Sequence, residues 1–246
     1  MNSNRYIVTF ILVMCLIAAV TLTGLREATK ELAIKNEEIF NKRAVLLAVN
    51  SHLGDRTVKD LTDADVQDIF SKQVEQTVIN MNGEVIDTMQ AEDVDLAQEK
   101  KKPEADRLLP LFVFNSGTEK YYILSVRGKG LWDEIWGNIA LEADLSTVAG
   151  ASFDHKGETP GLGAEIKDNP AFPRQFEGKK LYNDNGEFVS ITVRKGGARD
   201  PLHDVDGISG ATVTGDGVTK MLYQGLQKYE PYLQSVRKEG AKVGMN

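Results

Sequence analysis

The densest concentration of potential chemistry in this 246-residue sequence is Asp206-Gly207-Ile208-Ser209-Gly210-Ala211-Thr212-Val213-Thr214. Ser209 and Thr212 each bring a hydroxyl that donates, accepts or forms an ester. The small residues around them leave backbone N–H groups accessible. Apolar residues at helical spacing follow, so the segment opens a helix. A helix N-terminus presents unpaired donors and the positive end of its dipole, which suits a phosphate. The same residues also suit an ordinary helix cap, because Ser and Thr are favoured there in any case. Local spacing leaves both readings open.

Two further clusters are open in the same way. In Gly157-Glu158-Thr159-Pro160-Gly161-Leu162-Gly163, proline and glycine force a defined turn and let a ligand approach the backbone closely. The alternative is a purely structural turn. Gly128-Lys129-Gly130-Leu131-Trp132-Asp133-Glu134-Ile135-Trp136 holds two tryptophans that could pack a flat aromatic ligand or simply fill a core.

Other motifs are incomplete. Gly128-Lys129-Gly130 has Asp133 where a dinucleotide fingerprint needs glycine, so no NADH site is expected on this chain. His52, His155 and His203 lack metal-ligand spacing, and no metal site is expected. Gly207-Ile208-Ser209-Gly210-Ala211 falls one glycine short of a nucleophile elbow, and no strand is expected before it. A serine hydrolase with Ser209 as nucleophile and His155 or His203 as base is therefore the weakest alternative.

The elements that must position these clusters follow from composition and periodicity. Charged residues make up 26% and hydrophobic residues 41% of the chain, as in ordinary globular proteins. The formal net charge is -7, and no basic run stands out along the sequence, which argues against nucleic-acid binding. A single cysteine, Cys15, rules out an intramolecular disulfide.

From Tyr6 to Leu25 no residue is charged. As a helix such a run reaches about 30 Å, the thickness of a bilayer core. The small-residue pattern of a signal-peptide cleavage site is poor here, so an uncleaved anchor is expected. Arg5 and the amino terminus favour a cytoplasmic start, while Arg26 and Lys30 oppose it.

Helical periodicity continues from Arg26 to about Leu53 and reappears after Thr62-Asp63-Ala64-Asp65. Val85 and Ile86 read as strand, and Ala91 to Asp106 as a charged surface loop. Strands are predicted over Tyr121 to Val126, Ile135 to Leu141, Val148 to Phe153 and Phe188 to Val193. Pro170 to Phe176 reads as a short helix. A last helix runs from Thr212 to Lys228 and is stopped by Pro231. The expected fold is α+β, with one transmembrane helix and then a mostly antiparallel sheet domain with flanking helices. Its expected divisions are 1–25 for tail and span, 26–105 for a helical and mixed linker, and 106–246 for the ligand-binding domain.

Taken together, Gly130-Leu131-Trp132, Glu158-Thr159-Pro160-Gly161-Leu162-Gly163 and Asp206 through Thr214 resemble the C-subunit of the Na+-translocating NADH:quinone reductase. Order, spacing and the single N-terminal span all match over nearly the whole chain. The G-subunit of the related electron-transport (Rnf) complex shares the last two motifs but typically lacks Gly-Leu-Trp. It is the alternative, together with a cofactor-free membrane-anchored binding module.

The resemblance implies an FMN joined by a phosphoester to Thr212, placed there by a flavin transferase that uses FAD. By the same resemblance Ser209, Gly210 and Ala211 lie beside the linkage, and Trp132, Glu158, Thr159, Leu162 and Gly163 line the flavin. Asp206 corresponds to the acidic residue of the transferase recognition motif, and Lys195 is a further candidate contact. The implied role is one electron carrier in a chain from NADH to ubiquinone, coupled to sodium export. The implied partners are the other subunits of the complex, the transferase and the membrane. The implied place is the bacterial inner membrane, with the FMN domain in the periplasm.

Overall fold

The computed structural model describes residues 3–243, so the outermost residues of the expected 1–25 and 106–246 segments lie outside it. Two compact units divide the chain after Phe40. In the first, helix α1 (Ser3–Leu47) carries the uncharged run. Its most apolar stretch has a mean hydropathy of 2.5, and among the described residues it is the one helix long and apolar enough to cross a membrane. Tyr6, Phe10, Leu12, Leu16 and Leu22 all expose their side chains. That is the all-round apolar surface expected of a helix whose solvent is lipid.

The second unit begins at Asn41 with the last turns of α1. Next comes α2 (Asp63–Gln73), opened by a reciprocal capping box between Thr62 and Asp65. Strands β1 (Val74–Asn80) and β2 (Val85–Ile86) form a hairpin. The expected loop at Ala91 to Asp106 contains a helical turn, α3 (Leu96–Glu99). It is held in place because buried Glu99 accepts from Leu108 N at 3.0 Å and from Lys102 Nζ at 2.7 Å.

The four longest strands follow: β3 (Leu108–Ser116), β4 (Glu119–Lys129), β5 (Glu134–Leu141) and β6 (Val148–His155). All six pair antiparallel in the order β2-β1-β3-β4-β5-β6. The segment 26–105 thus supplies two strands of the same sheet.

Period-two alternation sends side chains to both faces. On β3, Leu109 and Leu111 join the cluster that includes Val218 and Met221, while Phe112 and Phe114 face Val66 and Phe70 of α2.

After β6 come two short helices, α4 (Glu165–Asp168) and α5 (Ala171–Arg174). The strand predicted over Phe188 to Val193 is shorter. Only β7 (Thr192–Arg194) forms, paired in parallel with β8 (Asp204–Asp206). The cause is Ser190, whose φ of 62° breaks the extended run, with both Val189 N and Ser190 N donating to Leu181 O.

Helix α6 (Thr212–Leu226) begins where the sequence places it. Pro231 does not stop the chain. A 3-10 turn at Gln227–Tyr229 leads into α7 (Glu230–Val243), with Pro231 in its first turn, where a missing N–H leaves no hydrogen bond unmade. Tyr229 fixes this junction, its buried hydroxyl lying 2.8 Å from Pro110 O and 2.9 Å from Ser125 O.

Close approach sets the position of α6 on β4. A Cβ on Gly217 would lie 2.5 Å from the Lys129 carbonyl oxygen, and one on Gly225 would lie 2.7 Å from Val126 Cγ1. Gly128 of β4 accepts Met221 in the same way. Gly217→Ala is expected to push the helix off the strand at a cost of about 1–3 kcal/mol. A thermal denaturation midpoint unchanged from the parent would show that this contact gives way freely.

Candidate flavin site

Three sequence clusters far apart in the chain meet at one carboxylate. Glu158 follows β6 and is 5% exposed. Its Oε1 accepts from Trp132 N at 3.0 Å, and its Oε2 accepts from Thr214 Oγ1 at 2.7 Å. Its own amide donates to His155 Nδ1 at 3.2 Å. Space for the carboxylate exists because Gly130 and Gly163 lack side chains. A Cβ on either would overlap the carboxyl group.

The turn after Glu158 is built as its composition implies. Leu162 N donates to Thr159 O at 3.1 Å across Pro160 and Gly161, and Gly161 has φ 73°. Proline second and a positive-φ glycine third are the signature of a type II turn. Thr159 Oγ1 accepts from Trp132 Nε1 at 3.1 Å, which holds an indole that is otherwise 66% exposed. Leu131, Leu162 and Val213 are also exposed. Gly210, at φ 76°, brings the loop before α6 so close to Leu162 that a Cβ would lie 2.7 Å from Leu162 Cδ2. The result is an indole held upright, with an apolar leucine beside a helix entrance.

That entrance lacks the usual cap. Ala211 occupies the cap position and has no polar side chain to bond the first amides of α6. The N–H groups of Thr212, Val213 and Thr214 belong to the first turn and have no carbonyl behind them in the helix. The ordinary cap reading of this segment therefore fails at its key position, since no side chain at the cap accepts from the first amides of α6.

The hydroxyls also separate. Thr214 is buried and committed to Glu158, whereas Thr212 is half-buried at the first helical position and Ser209 is exposed. A phosphate at the amides and a planar ring near Trp132 and Leu162 both fit what is present.

The loop is delivered by β7 and β8. Gly207 N donates to Arg194 O at 2.8 Å, and Ala198 N donates to Asp206 Oδ1 at 2.7 Å. Asp206 N donates to Gln175 Oε1 at 2.8 Å, and its side chain is exposed next to this anchor. Lys195 is exposed at the end of β7 and forms no salt bridge among the described residues.

Behind them, buried Asp204 accepts from Arg194 Nε, Arg199 N and Asp200 N at 3.0, 3.1 and 3.0 Å. Burial pushes its carboxyl up. The amides of Asp200 and Arg199 and the Arg194 guanidinium outweigh that and hold it below the usual carboxylate range. A folded pKa lower than the unfolded one gives stability that is complete above the unfolded value, about 3.9, and lost as pH falls through the folded value. The acid limb of the denaturation curve is thus expected to flatten in Asp204→Asn. An unchanged acid limb would contradict this role.

A strand, β8, does precede Ser209, contrary to expectation. The hydrolase arrangement still does not form. His203 is held by Asp200 Oδ2 at 2.9 Å and by Tyr182 O at 3.2 Å, and His155 by the Glu158 amide. Neither bonds Ser209 among the described residues. Nothing in the sequence signals the Glu158–Thr214 bond. A threonine two residues past Thr212 and a glutamate in a glycine-rich turn are unremarkable until the fold pairs them.

Known proteins resemble this chain in sequence and fold. Residues 130–227 match the FMN-binding domain family, a range that takes in two of the clusters whole and the tryptophan cluster from Gly130 onward. The Na(+)-translocating NADH-quinone reductase C-subunit of Pseudomonas aeruginosa is 31% identical, over 92% of this chain and 94% of its own. The corresponding C-subunit of Vibrio anguillarum is 31% identical over 95% and 94%. Among solved structures, the C-subunit from Parabacteroides distasonis superposes with a TM-score of 0.73 at 32% identity, covering 83% of this chain and 96% of that one. NqrC of Shewanella oneidensis gives a TM-score of 0.67 at 28% identity, over 80% and 99%. Similar to these proteins over almost its whole length and carrying an FMN-binding domain, the chain belongs to the NqrC family, the C-subunits of the Na(+)-translocating NADH-quinone reductase, an oxidoreductase complex.

Proposed function

We propose that this chain is an electron-carrying subunit of a sodium-pumping NADH:quinone oxidoreductase and holds FMN by a phosphoester to Thr212. The observation that supports it most is the uncapped first turn of α6, with the Thr212 hydroxyl at its first position and Thr214 already committed to Glu158. In the transfer step the Thr212 oxygen bonds to the phosphorus of the FMN half of FAD, the pyrophosphate bond breaks, AMP leaves and the hydroxyl proton is released.

The first-turn amides and the helix dipole then hold the charge of the diester. Ser209, Gly210 and Ala211 would shape the approach to it, and Trp132, Thr159, Leu162 and Gly163 would hold the ring. Glu158 keeps this set in place. Bound FMN supplies the redox chemistry, and the protein supplies position and electrostatics. Asp206 and the exposed loop around it form the surface that the flavin transferase reads.

The helix α1 anchors the chain in the bacterial inner membrane, with the flavin domain in the periplasm. Full-length protein co-expressed with the transferase should be yellow and keep its flavin absorption after denaturation. A colourless chain from a transferase-positive host would favour a cofactor-free module. For the side of the membrane, Thr118→Cys in a Cys15→Ser background should react with an impermeant maleimide in intact cells. Reaction only after lysis would place the domain in the cytoplasm.

A further inference from the structure

The longest basic run in the sequence is only Lys100-Lys101-Lys102, yet the fold gathers Lys100 with cations from distant segments. A groove of ≈ 650 Å³ between α6, β4 and the stretch from α3 into β3 is lined by Lys100, Arg107, Arg127, Lys129, Lys220 and Lys228. In a chain of formal net charge -7 this is the opposite sign. Two acids share the groove, Glu99 and Asp216. Glu99 is already satisfied by Lys102 and by Leu108 N.

Arg127 is paired with Glu134 at 2.5 Å. The other five cations form no salt bridge among the described residues. Arg107 is held but not neutralised, because it donates to the backbone oxygens Lys102 O at 3.0 Å and Lys100 O at 3.2 Å. Lys228 is half-buried. Burial, then Arg107 and Lys100, lower its pKa, with Glu104 opposing. Like charges gathered this way repel one another in the isolated chain, and an anionic occupant removes the repulsion.

The composition of the groove points to the kind of anion. The cations come from several parts of the chain: Lys100 after α3, Arg107 just before β3, Arg127 and Lys129 on β4, and Lys220 and Lys228 on α6 and the turn after it. The apolar part of the lining is small, because Leu109, Val126 and Met221 are core residues and Leu96 is half-buried. Charge of one sign supplied from several segments suits an occupant carrying several charges of the other sign, and such complementarity fixes the register of protein partners. One end of the groove reaches Gly130 and Val213, next to the flavin site and to Thr212. The relatives of this chain are named as subunits, members of a larger assembly.

We propose that this groove docks a carboxylate-rich segment of another subunit of the complex and so fixes that subunit beside the flavin site. This rests on the chain acting within the complex, which co-purification scores separately.

The test uses the purified complex containing the full chain, treated with a water-soluble carbodiimide. This reagent joins lysine amines only to carboxylates already in contact. Peptide mapping is expected to find Lys100, Lys129, Lys220 or Lys228 joined to Asp or Glu of another subunit. Adducts at the unchanged Lys100 and Lys129 should fall several-fold in Lys220→Gln/Lys228→Gln, which should still carry covalent flavin fluorescence as a sign of correct folding.

An intact complex in which these lysines couple to no other subunit, or only within the chain, overturns the docking proposal alone. Failure of the parent chain to co-purify with any other subunit overturns both readings. Inorganic pyrophosphate that protects these lysines from acetylation in the detergent-solubilised chain, with no adduct in the complex, assigns the groove to a small anion and also overturns it.

Discussion

In-gel flavin fluorescence of the denatured chain should disappear in Thr212→Ala and survive in Ser209→Ala. Both hydroxyls lie in the same loop, but their surroundings differ. Thr212 is the first residue of α6, where the amides of the first turn are unpartnered and Ala211 cannot cap them. Ser209 precedes Gly210, whose positive φ turns the chain between the two. Stability should barely change in Thr212→Ala. The residue is half-buried, alanine is a good helix former, and substitutions of this kind usually stay within about 0.5 kcal/mol. A change in flavin content without a change in melting temperature therefore isolates the attachment atom from the fold. Thr212→Ser should retain part of the signal, because the hydroxyl is kept and only the methyl group is lost.

The second large effect is expected at Glu158, and here fold and loading should fall together. Glu158→Ala strands two donors, Trp132 N and Thr214 Oγ1, in a site that is 5% exposed at its centre. Each buried donor left unpaired costs on the order of 1–3 kcal/mol. At about 2–4 °C per kcal/mol for a unit of this size, the melting temperature should drop by roughly 10 °C. Covalent flavin should fall as well, because the Trp132 backbone and the entrance to α6 are both tethered to this carboxylate. Glu158→Gln keeps the shape but only one acceptor oxygen, so it should lie between parent and Glu158→Ala. Thr214→Val removes one of the two partners along with its need, and should cost less than Glu158→Ala. Equal melting temperatures for the parent and Glu158→Ala would show that the three clusters are held together by something else.

How much of this is legible in the sequence depends on the range of the interactions. The start of α6 at Thr212, strands β5 and β6 and the apolar run of α1 rest on local patterns, and each appears where the sequence puts it. The break at Ser190 is not legible. Nothing in Phe188 to Val193 announces a positive φ, and the interruption depends on a carbonyl supplied from Leu181. Pro231 reads as a stop because proline cannot continue a helix. It also opens one, and only the 3-10 turn pinned by Tyr229 decides between the two.

The site shows the same split. The individual clusters are visible in the sequence, but each has a bland alternative, and local chemistry does not choose between them. Their convergence on Glu158, which makes Gly130 and Gly163 necessary, is a tertiary fact. So is the basic groove, whose cations are scattered between Lys100 and Lys228 in the sequence.

The phosphoester itself is tested most directly by proteolysis of the full-length protein, co-expressed with the transferase, and tandem mass spectrometry of the flavin-bearing peptide. The expected result is a single peptide spanning Ser209 to Thr212, with the FMN phosphoryl group on the Thr212 oxygen. The same group found on Ser209 or Thr214, or a flavin recovered wholly free after denaturation, would contradict it.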